Sequence, residues 1–282
     1  MLKYLNYSLL FLALFLMACN NPNASSNQDA EEGEKEGMAE FSEDKEFQEA
    51  HEEPVTTTFN GKGQMISFPT SDGKESEAYV IAPQHSTNKV LFVIHEWWGL
   101  NDHIKREAET LFDSLGDVMV MALDLYDGKV ATTREKAGEY MQSASPERSR
   151  SIIQGAMGQA GSAAKIATIG WCFGGGWSLK ASIMAGNQGA GCVLYYGMPV
   201  ESAADLGPLE ADVLGIFAAK DEWITPKVVD DFKTMCKTAN KKLTVYSYDA
   251  DHAFANPSSP RYVEQDAKDA NAKALEFLRK KL

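Results

Sequence analysis

The stretch Ala167-Thr168-Ile169-Gly170-Trp171-Cys172-Phe173-Gly174-Gly175-Gly176-Trp177-Ser178-Leu179 constrains this chain more than any other. An apolar, β-prone run from Ile166 to Ile169 ends in Gly-x-Cys-x-Gly-Gly, and a helix-compatible run follows to about Met184. This is the pattern of a nucleophile elbow, where a strand turns sharply into a helix and lifts one side chain above a sheet. Gly170 and Gly174 flank the apex because the strained turn leaves no room for a Cβ there. The apex residue is Cys172 and not the more usual serine. A thiol needs less activation than a hydroxyl, since its unperturbed pKa is about 8.5.

The rest of the chain offers a sheet to carry such an elbow. Met65 to Phe68 and Ala78 to Ile81 read as short strands joined by the turn Ser71-Asp72-Gly73. Val90 to Ile94 is a continuous apolar run, as expected of a strand covered on both faces. A helix is predicted from Asn101-Asp102 to the stop at Gly116, then a strand from Val118 to Leu123. Helices follow around Thr133 to Gln142 and from Pro146 to Ala160. After the elbow come strands Gly191 to Tyr196, Val213 to Ala218 and Leu243 to Tyr248. Helices run from Thr225-Pro226 to about Thr238 and from about Tyr262 to the end. Strands alternating with helices predict an α/β fold, a mostly parallel central sheet with helices on both faces. Loops following the strands then gather along one edge, where such folds build their sites.

Two further loops on that edge carry complementary side chains. One holds Asp221 in Ala219-Lys220-Asp221-Glu222-Trp223-Ile224-Thr225-Pro226; the other holds His252 in Asp249-Ala250-Asp251-His252-Ala253-Phe254. Nucleophile, acid, then His is the chain order of α/β-hydrolase triads. His252 is the expected acceptor of the thiol proton, and Asp221 the group that fixes its tautomer. Each residue also has a duller reading. Cys172 fits a small core residue, Asp221 a cap for the helix near Thr225, and His252 a loop histidine bonded to backbone. Asp249 and Asp251 compete with Asp221 as the acid. In Ile94-His95-Glu96-Trp97-Trp98-Gly99-Leu100-Asn101 the backbone N–H of Trp97 is the expected partner of the Phe173 N–H in an oxyanion hole. Glu96 would sit close to the thiol and raise its pKa, or else be a solvated loop charge. Trp97 and Trp98 read as packing or as a substrate wall.

These residues together resemble the dienelactone hydrolase family. The resemblance rests on Gly170 to Gly175, His95 to Asn101, Asp124-Leu125-Tyr126, Asp221 and Asp251-His252-Ala253-Phe254, and spans about Met65 to Leu282. It implies an α/β-hydrolase fold with no large cap domain and a Cys-His-Asp triad at Cys172, His252 and Asp221. It also implies a glutamate, at Glu96, that meets the resting thiol and moves when substrate binds, with Trp98, Tyr126 and Phe254 beside it. The type member opens an unsaturated lactone bearing a carboxylate. The arginines that grip this carboxylate fall at Gly128 and Asn256 here, with Lys129 and Arg261 as the nearby cations. The resemblance therefore implies a hydrolase of small esters or lactones working through an acyl thioester, but carries over no carboxylate clamp. The alternative is a surface scaffold that retains the fold without turnover.

The first residues read as a secretion signal over 1–18. Lys3 precedes an apolar run from about Leu9 to Ala18, too short for the roughly 20 residues that span a bilayer. Leu16-Met17-Ala18-Cys19 resembles a bacterial lipobox, with Cys19 lipidated, which predicts an extracytoplasmic lipoprotein tethered to a membrane. Residues 19–54 are acidic and poor in aromatics, with only Phe41 and Phe47, and are expected to form a disordered linker before a domain over 55–282. That segment concentrates the formal charge of −13, and an acidic chain without a basic cluster argues against nucleic-acid binding. Cys172, Cys192 and Cys236 are odd in number, so no disulfide framework is implied. The histidines His51, His85, His95, His103 and His252 lack metal-ligand spacing, and Gly174-Gly175-Gly176 lacks the residues of a nucleotide loop; no metal or cofactor is expected.

Overall fold

The computed structural model describes residues 36–53 and 59–282. The expected signal peptide and Cys19 lie outside the described residues.

The alternation of apolar runs and capped helices produces eight strands and seven α-helices among the described residues. The strands are β1 (Gln64–Pro69), β2 (Glu75–Ile81), β3 (Lys89–Ile94), β4 (Met119–Leu123), β5 (Lys165–Trp171), β6 (Gly189–Tyr195), β7 (Asp212–Ala218) and β8 (Leu243–Tyr248). The helices are α1 (Lys45–Glu49), α2 (Asp102–Leu115), α3 (Arg134–Ser143), α4 (Pro146–Ala160), α5 (Phe173–Ala185), α6 (Pro226–Thr238) and α7 (Glu264–Lys281). The sheet order is β1-β2-β4-β3-β5-β6-β7-β8. Both pairings of β2 are antiparallel and every pairing from β4 to β8 is parallel.

Burial along each strand follows its place in this order. In β3 every residue after Lys89 is buried, and in β5 every residue after Lys165, because helices cover both faces. Helix α4 packs against α5, and α2 against α7. The outer strands β1 and β8 are largely exposed. Helix starts obey the expected chemistry: Asn101, Thr133, Ser145 and Thr225 each accept a backbone N–H from the first turn.

The acidic segment departs from the expected linker. Gly37–Phe41 forms a 3-10 helix and Lys45–Glu49 forms α1, so part of the expected linker is packed structure and the fold is not confined to 55–282. Three apolar side chains supply the anchorage: Met38 and Phe47 are buried, and Phe41 is partly so. One of its carboxylates adds ion pairs, since Glu36 pairs with Lys180 of α5 and Arg150 of α4. Composition averaged over the whole segment hid these few contacts. We call residues 36–53 the strap.

Candidate active site

Strand β5 ends at Trp171, and Cys172 stands at the turn into α5 with φ 54° and ψ −118°, a conformation that costs a non-glycine residue on the order of 1–3 kcal/mol. The turn is fixed by close backbone approach. A Cβ on Gly170 would lie 2.0 Å from the Gly174 carbonyl oxygen, and one on Gly174 would lie 2.3 Å from that of Ile94. The Cys172 N–H donates to the Tyr195 carbonyl at 3.0 Å, which ties the apex to β6.

His252 and Asp221 meet as the chain order implied. Asp221 follows β7, and its Oδ1 accepts the N–H groups of Trp223 and Ile224 at 3.0 and 2.8 Å. Its Oδ2 lies 2.7 Å from His252 Nδ1, with both side chains fully buried. Of the competing acids, Asp249 is turned to solvent and pairs with Lys220, and Asp251 is exposed. Asp221 does not cap the helix near Thr225, since Thr225 itself caps α6; one Asp221 oxygen closes its own loop while the other holds the histidine. His252 Nε2 is left without a hydrogen-bond partner, and one ring nitrogen of His252 lies within 4.8 Å of Cys172 Sγ.

Burial opposes charge on His252, but the Asp221 carboxylate and the Cys172 sulfur outweigh it and push the imidazole up to about 10. Asp221 is likewise pushed up by burial and, on balance, pulled below the usual carboxylate range by His252 and its backbone donors. For Cys172, burial raises the thiol; the His252 charge and the Phe173 N–H pull against this, and Glu96 adds to the rise. The Phe173 amide thus faces the sulfur, and Trp97, in the loop after β3, packs its ring on Phe47 and His51. Glu96 is buried, which pushes its carboxyl up to about 7 against the pull of His252 and of Asn256, whose Nδ2 donates to Oε2 at 2.5 Å. Asn256, where the resemblance implied a clamp arginine, here holds Glu96.

Other expected residues divide by location. Trp98 and Glu96 border a cavity of about 340 Å³ whose wall also includes Trp171, Ala255, Asn256 and Tyr262. Tyr126 is buried with its hydroxyl unpartnered, its ring set against Phe173 and His95. Phe254 sits behind the site, packed on Tyr196 and Tyr248 and away from this cavity. Gly128, the second clamp position, instead donates its N–H to Asp124. Cys192 and Cys236 are free and buried, apart from the triad.

Sequence reasoning missed three contributors. His95 braces the loop edge: its Nδ1 bonds the Glu96 carbonyl at 2.6 Å and its Nε2 accepts the Leu125 N–H at 3.1 Å. Tyr196 has φ 32°, an unpartnered hydroxyl and a ring edge-on to His252 at 5.1 Å. Its signal was its place just past a strand end. The third is the strap itself. Phe47 is fully buried between Trp97 and Trp223, at 5.4 and 5.2 Å, and His51 lies 5.5 Å from His252. Under this cover Cys172 is only 1% exposed.

An eight-stranded, mostly parallel sheet with a strained cysteine elbow and an Asp-held histidine at its carboxyl edge defines an α/β-hydrolase fold without a large cap. The profile of the dienelactone hydrolase family matches residues 76–282, and the chain belongs to that family of carboxylic ester hydrolases. It is 29% identical over 208 residues to protein usf of Aquifex pyrophilus, covering 69% of this chain and 87% of that one. It is 27% identical over 228 residues to a carboxymethylenebutenolidase of Pseudomonas putida, covering 76% of this chain and 94% of the relative. Among solved structures, a dienelactone hydrolase-like promiscuous phosphotriesterase from metagenomic libraries superposes with TM-score 0.66 at 20% identity, covering 78% of this chain and 99% of the other. A dienelactone hydrolase of Anabaena variabilis does so with TM-score 0.55 at 16% identity, over 79% and 100% of the two chains.

Proposed function

We propose that this protein is a thiol hydrolase of small esters or lactones, with Cys172 as nucleophile, His252 as general base and acid, and Asp221 as the group that orients it. The observation that carries this reading is the 2.7 Å contact between Asp221 Oδ2 and His252 Nδ1, which leaves Nε2 to the sulfur at the elbow. In this mechanism the thiol proton passes to His252, whose imidazole is pushed up to about 10 beside Asp221 and the sulfur, so that Sγ attacks the carbonyl carbon as a thiolate. The developing oxyanion is held by the N–H groups of Phe173 and Trp97, donors of a kind worth roughly 10²–10³ in rate each. His252 then returns the proton to the leaving oxygen, and the alcohol departs, or stays tethered if the substrate is a lactone. Water, deprotonated by His252, releases the acid and restores the thiol.

Glu96 and its cavity shape the substrate. With its carboxyl pushed up to about 7 and Asn256 donating to Oε2, Glu96 is close to half-protonated at neutral pH. Neither clamp position carries an arginine, while Arg106 lines the cavity beside Glu96, so the substrate class proposed is small esters and lactones without a preference for charge. We further propose that Cys19 carries a lipid that holds the enzyme outside the cytoplasm; Cys19→Ala should then leave the membrane fraction.

The experiment is turnover of p-nitrophenyl acetate and a panel of small lactones by the purified protein and by Cys172→Ala. The expected result is loss of roughly 10³-fold or more in the variant, with an acylated Cys172 seen by mass spectrometry in the parent protein. Equal rates for the two proteins would sink the proposal.

A further inference from the structure

The triad accounts for Cys172 and His252 but leaves His51 without a task. This histidine is buried, and its Nδ1 is 2.7 Å from the Phe47 carbonyl, the i−4 position of its own strap. That bond leaves Nε2 facing inward with no partner. His252 is built the same way, Nδ1 held by Asp221 and Nε2 unpartnered. One ring nitrogen of each, together with Cys172 Sγ, lie within 4.8 Å of one another. We propose that His51, Cys172 and His252 form a binding site for one zinc-class divalent cation, which clamps the strap shut over the nucleophile.

Each part of the arrangement suits that ion. A histidine ligand normally has its other ring nitrogen fixed by a carbonyl or carboxylate, which sets the tautomer and aims the lone pair. Here both do, one by the Phe47 carbonyl and one by Asp221. Tetrahedral zinc with nitrogen at 2.0–2.1 Å and sulfur at 2.3 Å sets its ligands about 3.3–3.7 Å apart, so atoms already within 4.8 Å of one another draw in by no more than about 1.5 Å. A fourth position stays open for water, as in sites built from three protein ligands. Charge is met as well: the thiolate supplies one negative charge in the inner shell, and Asp221 stands directly behind His252. Thiolate and imidazole are a poor set for magnesium or calcium, which take oxygen ligands.

Neutral His51 offers its lone pair without first losing a proton, since burial and the neighbouring His252 charge hold its imidazole down to about 3. The thiol, or the imidazolium it has protonated, must give up its proton, so at least one proton leaves for solvent per cation bound. The metal–sulfur bond then takes the electron pair that would attack an ester. The cation is therefore an inhibitor, and its hold on the strap's own histidine makes access to the nucleophile depend on free metal. This site rests on the placement of three ligands and stands whether or not esters are the substrate.

The probe is cobalt(II) added to the full-length, chelator-treated protein. One equivalent should produce a thiolate-to-cobalt charge-transfer band in the near ultraviolet, displaced by zinc. Cys172→Ser should lose the band. His51→Gln, whose amide keeps a donor for the Phe47 carbonyl, should weaken binding by about tenfold or more, with the fold checked by circular dichroism. Zinc should suppress iodoacetamide labelling of Cys172 in the parent protein and much less in His51→Gln. A parent protein with no thiolate band at stoichiometric cobalt, or His51→Gln with unchanged affinity, would overturn the site. Ester turnover by the metal-free protein reports on the hydrolase reading separately: loss of one result leaves the other standing.

Discussion

The loops at the carboxyl edge of the sheet and the strap that covers them are both well packed, yet they are held in opposite ways. The edge loops are fixed by backbone. Cys172 is pinned to β6, two Asp221 bonds close its loop, and Gly174 admits no Cβ beside the β3 carbonyls. The strap adds no strand to the sheet. It is anchored by Met38 and Phe47, by the ion pairs of Glu36, by Trp223 Nε1 donating to Asp44 at 3.3 Å, and by Arg134 Nε donating to the His51 carbonyl at 2.6 Å. A few side-chain contacts without a shared ladder mark a segment that opens at lower cost than the body beneath it. The difference teaches that the chemistry is fixed by backbone bonds while the segment over it is held by side chains alone.

The comparison is broken most severely on the rigid side. Asp221→Asn keeps the shape of the carboxyl but lets the wrong tautomer of His252 face the sulfur. Turnover should fall by roughly 10³–10⁴-fold with little change in KM, read from steady-state ester hydrolysis. Thermal unfolding should move far less than the rate does. If the variant retains near-parent kcat, the histidine is oriented by something other than Asp221.

Phe47→Ala tests the cover. Removing a fully buried phenyl normally costs about 3–5 kcal/mol. A strap that lifts by itself would show that cost as local opening and not as global instability. An effect of about 3 kcal/mol is roughly 10²-fold in the opening equilibrium. Alkylation of Cys172 should accelerate by that factor while the melting temperature of the body stays nearly fixed. A matching loss of global stability would show that strap and body are one cooperative unit.

The rigid region was also the readable one. The apolar run into Gly170-x-Cys172-x-Gly174, the Asp221 loop and the His252 loop are each local patterns, and strand alternation alone sets them on one edge. Glu96 beside the site follows from its position after β3. The strap was not readable for the converse reason. Its structure depends on where Phe47 and Glu36 land, between Trp97 and Trp223 and against Lys180, contacts more than 40 residues apart in sequence. Composition treats such a segment as a solvated tail. His51 was set aside with the other histidines because ligand spacing along the chain is the usual metal signal, whereas this cluster joins residues from the strap, the elbow and the last loop. His95 shows the same limit in reverse, a histidine in a suggestive motif that serves to brace two loops.

Acid should lift the strap in a graded way. The folded His51 imidazole is held at about 3 against an ordinary value of 6.5, chiefly by burial and then by the His252 charge, with Arg261 adding and Asp221 opposing. A depressed pKa contributes stability that is present above 6.5 and is lost as pH falls toward 3. Each pH unit below 6.5 therefore favours the open strap by about tenfold. Hydrogen exchange at the amides of Phe47 and Gln48, corrected for intrinsic rates, measures this between pH 6 and 4. His51→Gln should flatten the dependence; an equally steep slope in that variant would assign the effect to another group.

The smallest expected effect distinguishes which of the strap's ends is the hinge. Arg134 of α3 reaches the His51 carbonyl at 2.6 Å, whereas Glu36 is tied by two cations at the opposite end. A hydrogen bond from a charged group contributes about 1.5–3 kcal/mol when buried, and the low end applies here because the guanidinium is only part-buried. Arg134→Ala should then raise the opening of α1 and His51 by roughly tenfold and weaken zinc protection of Cys172 in proportion. Amides near Met38 should keep their protection, because Glu36 still pairs with Lys180 and Arg150. If exchange instead rises evenly from Gly37 to His51, the strap opens as one piece, and its hold on the nucleophile is set by Phe47 alone.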